Sequence, residues 1–336
     1  MTNQSNKTIQ ALRFIFVMMI FMSHFHYPDV PIFDAGGDCG VAFFFLLSGF
    51  VLSMGYGKKI DDKTFSFNRY FKRRLFKIFP LHLLCLVIFL IVFRPSIDHR
   101  LLLNVLLLQS WVPDGDYYFS YNAVSWFLSC LLFSYVVFPF AYRHANKRTL
   151  LVVLGCYIAA YVLIPYSKVN ALLYVSPLIR FVDFFLGIML YKVFSSRKGD
   201  LTNASFVELS LVVLLVMALI AYPYTDEKLR NAPLYWLVLL PIIYVFTQQQ
   251  GVVSRCLQWQ GLQWLGALSM PIFMTHPIVI HTMFHFFPSL PYAVLLAACF
   301  TITVALSWAI DHFYLRNSLF FCNFARIKPK QHSKQL

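Results

Sequence analysis

The sequence predicts an all-α, polytopic membrane protein, and three observations carry that expectation. Hydrophobic residues make up 59% of the 336 residues and charged ones only 12%, against about 45–50% and about 25% in ordinary soluble domains. The apolar residues gather into runs close to the ~20 that a spanning helix needs. Aromatic content of 18%, with 36 Phe, suits lipid-facing helices and interfacial belts better than a water-soluble core.

Ten runs read as spans, over residues 9–27, 40–54, 78–93, 124–142, 150–164, 174–194, 206–222, 233–247, 264–287 and 291–314. The first holds Arg13 and His24 and has no small-residue cleavage site, so it reads as a retained helix and not a signal peptide. The stretch 101–111 is apolar but too short to cross a bilayer, and reads as an interfacial or re-entrant piece. Lys and Arg accumulate in cytoplasmic loops. With the N-terminus inside, ten spans put 22 of the 28 Lys and Arg on the cytoplasmic side, leaving Arg94, Arg100, Lys168, Arg180, Lys228 and Arg230 opposite. About ten helices with both termini cytoplasmic is therefore the expected topology, as a single transmembrane domain over 1–320 and a basic cytoplasmic tail over 321–336.

The same distribution settles what the net charge of +14 means. Basic residues lie between apolar runs, where they report orientation and lipid headgroups, so no nucleic-acid partner is expected. Seven cysteines, none in a CxxC pair, argue against a disulfide framework or thiolate metal site. No metal is expected either from His276, His281 and His285, which no carboxylate or thiolate accompanies.

Candidate chemistry starts on the first helix. Ionisable groups inside a membrane helix are costly and mark function by default. Arg13 and His24 have ten residues between them; eleven steps of ~1.5 Å place them roughly 16 Å apart on one helix face. That spacing suits a long ligand held at its charged end by Arg13, with its reactive end at His24. The plainer alternative is a snorkelling arginine and a satisfied core histidine. On the second helix, in GVAFFFLLSGF, Ser48 and Gly49 allow close approach of a helix or a ligand. The segment RYFKRRLFKIFP then supplies Arg69, Lys72, Arg73, Arg74 and Lys77, a cluster suited to phosphate or to lipid headgroups. Asp183 beside Arg180 reads as an intramembrane ion pair. Asp34 and Asp38, at the far end of the first hairpin, are candidates to contact a sugar or to orient His24.

The order of Arg13 and His24, GVAFFFLLSGF, KRRLFKIFP, SWFLSCLLFSYVVFP around Trp126 and Pro139, FFLGIMLY at Gly187, and LGALSMPIFMTHP ending at His276 resembles the acyltransferase 3 family. These blocks cover nearly the whole chain. The resemblance implies a bacterial inner-membrane enzyme that moves an acyl group, usually acetyl, from cytoplasmic acyl-CoA to a hydroxyl of a cell-surface or lipid-linked glycan. It implies His24 as the catalytic histidine, acting with Arg13. Arg13, Arg69, Arg73, Arg74 and Lys77 become contacts to CoA, with Ser48 and Gly49 lining the acyl path. Asp34, Asp38, Trp126 and His276 become candidate contacts to the acceptor. His24 could act as a general base or through a covalent acyl-histidine.

The chain departs from the family pattern at two places. Many members carry Glu where this chain has Leu131, and Tyr where it has His82. The competing reading is a glycan or lipid-linked sugar transporter or flippase. Transporters commonly contain inverted repeats with paired broken helices, and no second copy of the Arg13 to His24 unit is present.

Overall fold

The computed structural model describes residues 6–26, 32–196, 201–231 and 233–315. Every regular element among them is helical, in fifteen α-helices joined by short 3-10 and π turns. They are α1 (Lys7–Phe25), α2 (Ile32–Asp61), α3 (Phe67–Phe93), α4 (His99–Val105), α5 (Gly115–Tyr118), α6 (Trp126–His144), α7 (Lys147–Leu163), α8 (Pro177–Ser196), α9 (Ala204–Ala221), α10 (Glu227–Arg230), α11 (Pro233–Gln248), α12 (Val252–Leu257), α13 (Gln260–Ala267), α14 (Ser269–Phe286) and α15 (Tyr292–Ala309).

Among the described residues, seven helices are long and apolar enough to cross a membrane: α1, α2, α3, α6, α9, α11 and α15, some with a flanking turn. Helices α13 and α14 together make an eighth, broken by a bend of 66°. The two remaining members of the expected ten differ for identifiable reasons. Helix α7 has 17 residues, and α8 is long enough but carries Arg180, Asp183 and Lys192 along its length. Several helices also outrun the expected apolar runs. α3 begins at Phe67, eleven residues before the apolar stretch at 78, because Lys and Arg are good helix formers and let the helix continue past the bilayer edge. The basic tail over 321–336 lies outside the described residues.

At the centre, α2 packs against α1 on one side and α8 on the other. The α2–α8 contact is backbone on backbone. A Cβ on Gly49 would stand 1.9 Å from the Phe184 carbonyl oxygen, and one on Gly187 2.0 Å from that of Leu46. Small residues at such crossings are what bring membrane helices together. The glycine of SGF thus has an architectural use.

Pro139 shows how the bundle repairs its own irregularities. It lies inside α6 and has no N–H to give, so the Tyr135 carbonyl one turn earlier loses its helical partner. The buried Tyr70 hydroxyl of α3 donates to that oxygen at 3.0 Å, as burial in a membrane bundle demands.

The stretch 101–111 does not span. It forms the seven-residue α4, a left-handed turn at Leu107 and a 3-10 turn at Gln109–Trp111. Asn104, Leu107 and Gln109 are fully buried, and apart from Gln109 Oε1 their side-chain polar groups are paired. Asn104 donates to the Arg100 carbonyl and to Ser120 Oγ, Ser125 donates to Asn104 Oδ1, and Gln109 donates to Ser125. Non-helical backbone at membrane depth is tolerated only when wrapped in protein or lining a cavity. His82 joins this segment to α3: its Nε2–H donates to the Asn104 carbonyl at 2.8 Å.

Candidate functional site

Helix α1 is unbroken from Lys7 to Phe25, so Arg13 and His24 keep the one-face relationship that their spacing requires. His24 Nδ1–H donates to the Ile20 carbonyl at 2.8 Å. A carbonyl only accepts, so this bond leaves Nε2 of the neutral imidazole with a bare lone pair. His24 is exposed although protein crowds around it. Its neighbour is His276 of α14, ring edge to ring face with centroids 4.9 Å apart. His276 is fully buried. Its Nδ1–H donates to Ile272 at 3.1 Å, and its Nε2 has no hydrogen-bond partner. His281 of the same helix lies within electrostatic reach of His24.

The expectation that Asp34 or Asp38 orients His24 is not met. Asp34 is exposed and pairs with His26 at 3.2 Å; the carbonyl of Ile20 does the orienting. Asp38 faces elsewhere, toward Arg180 and Arg230 and the hydroxyls of Tyr174 and Tyr222.

At the other end of the spacing, Arg13 donates to Gln10 Oε1 at 3.2 Å. Arg13, Arg74 and Lys77 stand close enough to act on one another's charge, and Tyr135 of α6 feels both guanidinium groups. The ion pairs among the described residues are His26–Asp34, Asp98–Arg100 and Arg180–Asp183, so no carboxylate opposes these three cations. Arg74 donates to the Tyr56 hydroxyl at 3.2 Å and its Nε is buried without a partner. Like charges gathered without counter-charge, Arg13 and Arg74 half-buried and Lys77 exposed, make a place for an anion. Tyr135 is not among the sequence candidates; its polar tip in an apolar helix, one turn before Pro139, is the signal that marks it.

Two further proposed CoA contacts lie at the edge of this group. Arg69 and Arg73 are exposed and border a shallow recess of about 130 Å³ with Tyr56, Lys59, Ser66 and Tyr70, although Arg73 also reaches the Tyr56 hydroxyl. Ser48 donates to the Phe44 carbonyl within its own helix at 2.6 Å. Gly49 is corrected from an acyl-path residue to a packing residue, because α8 backbone fills the space beside it.

A second polar constellation gathers around Arg180, which is fully buried. It pairs with Asp183 at 2.9 Å, as the sequence suggests, and donates through Nε to the Tyr174 carbonyl. Trp236 donates to the other oxygen of Asp183. Trp126 packs against Tyr174, with the guanidinium over both rings. Trp126 and Asp38 therefore meet at Arg180. At the rim of this end, Tyr166 donates to Asp226 at 2.7 Å and holds its carboxyl below the usual carboxylate range. Among the described residues no group of three His, Cys, Asp or Glu is arranged to hold a metal ion.

The family profile of this acyltransferase domain matches residues 6–312. The chain belongs to the acyltransferase 3 family. The chain is also similar to acyltransferase MdmB of Streptomyces mycarofaciens, 38% identical over 120 residues, which are 33% of this chain and 30% of that protein. It thus spans less than a third of that relative's length. A putative acetyltransferase, ORF330, of Acidianus two-tailed virus is 25% identical over 251 residues, 71% of this chain and 72% of that one. No solved structure matches. Family membership and the apolar helices together make this acyltransferase 3 protein a multi-pass membrane protein. Leu131, where many of its family carry Glu, is buried among apolar side chains.

Proposed function

We propose that the protein is a membrane O-acyltransferase that takes an acyl group, acetyl by family preference, from cytoplasmic acyl-CoA and places it on a hydroxyl of a cell-surface or lipid-linked glycan, in a bacterial inner membrane. The observation that carries the reading is His24, its Nδ1–H tied to the Ile20 carbonyl and its Nε2 bare, three helical turns from the unopposed cations Arg13, Arg74 and Lys77. Supporting it are the family match over 6–312 and the names of the two similar proteins.

The chemistry follows from the two ends. CoA is long and polyphosphorylated; guanidinium forks match phosphate oxygens, so Arg13 and Arg74 would hold it while its thioester extends toward His24. His24 Nε2 takes the proton of the acceptor hydroxyl as that oxygen attacks the thioester carbonyl. The carbon–sulfur bond then breaks, and the proton passes from His24 to the departing thiolate. No carboxylate stabilises the imidazolium, so the proton would be carried only briefly. His276, edge-on to His24, would limit how the imidazole turns.

Ten spans with both termini cytoplasmic are the topology this function needs, with α7, α8 and the bent α13–α14 pair completing the set. The Arg13 end would then open to the cytoplasm, where the basic loops lie, and the His24 end toward the opposite face. Inverted vesicles carrying the protein should transfer label from acetyl-CoA to membrane glycans, and vesicles carrying His24→Ala at equal protein levels should not. No transfer by the unaltered protein would overturn the reading in favour of transport.

A further inference from the structure

The Arg180 constellation has no part in the chemistry above, yet it is built more completely than packing requires. Arg180 has five N–H donors. Nε is used by Tyr174 and Nη1 by Asp183, while Nη2 is buried with no partner. An unsatisfied buried donor costs free energy, and a guanidinium in a membrane bundle is expensive to begin with. Both Asp183 oxygens are already engaged, one by Arg180 Nη1 and the other by Trp236. Asp38 lies within electrostatic reach of Arg180 but forms no ion pair with it. The hydroxyls of Tyr174 and Tyr222 hydrogen-bond the Asp38 carboxylate.

Depth ties these groups to His24. A Cβ on Gly37 would meet Ser23 Oγ at 2.6 Å, so Ser23 of α1 and Gly37 of α2 are neighbours. His24 and Asp38 are the next residue along each helix. Asn122, just before α6, donates to the Met274 carbonyl two residues from His276, and Trp126 four residues later lies against Arg180. The start of α6 thus links the two walls at one level of the bundle.

Charge decides the class of ligand. At the Arg13 end three cations face no carboxylate, an environment for an anion. At the Arg180 end Arg180 and Arg230 are matched by Asp38 and Asp183, and the groups left over are a mixed set of donors and acceptors without net charge. We infer that Asp38, Arg180, Tyr174 and Tyr222 form a subsite for a neutral, polyhydroxylated ligand, its hydroxyls bridging the Asp38 carboxylate and Arg180 Nη2. In the proposed reaction this is the acceptor subsite, so the assignment of role, though not of ligand class, rests on that reading.

The test is binding without turnover. The purified protein in detergent would be followed by thermal unfolding with neutral methyl glycosides (glucoside, galactoside, mannoside, rhamnoside), with glucuronate, and separately with acetyl-CoA. At least one neutral glycoside should raise the midpoint of the native protein and at least tenfold more of it should be needed for the same shift in Asp38→Asn, an isosteric change, or in Tyr222→Phe. Acetyl-CoA should stabilise Asp38→Asn as it does the native protein, which shows that the variant is folded. A neutral glycoside shift that survives Asp38→Asn, preference for glucuronate, or no glycoside shift at all would overturn the subsite. Absence of an acetyl-CoA shift in the native protein would instead overturn the donor reading and leave the sugar result standing.

Discussion

At the residue scale, the account turns on atoms left without partners. His24 presents a bare Nε2 because Ile20 claims its other nitrogen, and no acid is needed to set that tautomer. A general base of this kind contributes about 10²–10⁴-fold to rate, so His24→Gln, which keeps polarity but loses the base, should lower acyl transfer at least 100-fold in vesicle assays while leaving expression unchanged. His276 belongs to the same scale but to a different role. His276→Phe keeps the ring contact and removes the unpartnered nitrogen; retained transfer within about threefold is expected if the residue only positions His24, and a loss as deep as that of His24→Gln would make it a proton carrier instead.

Elements explain where sequence reading succeeds and where it stops. The spacing of Arg13 and His24 is legible because a continuous helix converts residue number into distance and face, and α1 is continuous. The Arg180–Asp183 pair is legible because charge inside an apolar run must find a partner nearby. The use of Gly49 is not, since packing and ligand approach both call for a small residue, and only the position of α8 separates them. Nor is the orientation of Asp34, which pairs with His26 at the end of α1. Two predictions test the packing. Gly49→Ala or Gly187→Ala should each lower the unfolding midpoint in detergent, because overpacking typically costs 1–3 kcal/mol or more and here the obstacle is backbone; an unchanged midpoint would contradict the α2–α8 contact. Tyr70→Phe should cost about 1 kcal/mol, the worth of one hydrogen bond, whereas in a Pro139→Ala background, where the Tyr135 carbonyl regains its helical donor, the loss should shrink.

Over the whole molecule, the arrangement is polarised. Unopposed cations occupy one end of α1 and α3, charge-balanced polar groups the other, and the bare imidazole of His24 lies near the second. Composition alone reveals the membrane class and the helical architecture, since nothing else accommodates so many apolar runs. Counting spans is harder, because α7 falls short in length and α8 carries three charges, two of which, Arg180 and Asp183, are buried against neighbours that a sequence does not name. Sidedness is testable with single cysteines in a cysteine-free background. A membrane-impermeant maleimide applied to intact cells should label Ser96→Cys and Ser167→Cys but not Lys63→Cys or Lys147→Cys; equal labelling at 147 and 167 would mean that α7 does not cross. The central claim, that the donor is held at Arg13 and the proton taken at His24, is tested most directly by the dependence of acetyl transfer on acetyl-CoA concentration in inverted vesicles. Arg13→Gln should raise KM for acetyl-CoA about tenfold or more, as loss of a charged hydrogen bond implies, with kcat largely kept, while His24→Gln should lower kcat and leave acetyl-CoA binding intact; a His24→Gln protein with native kcat would contradict it.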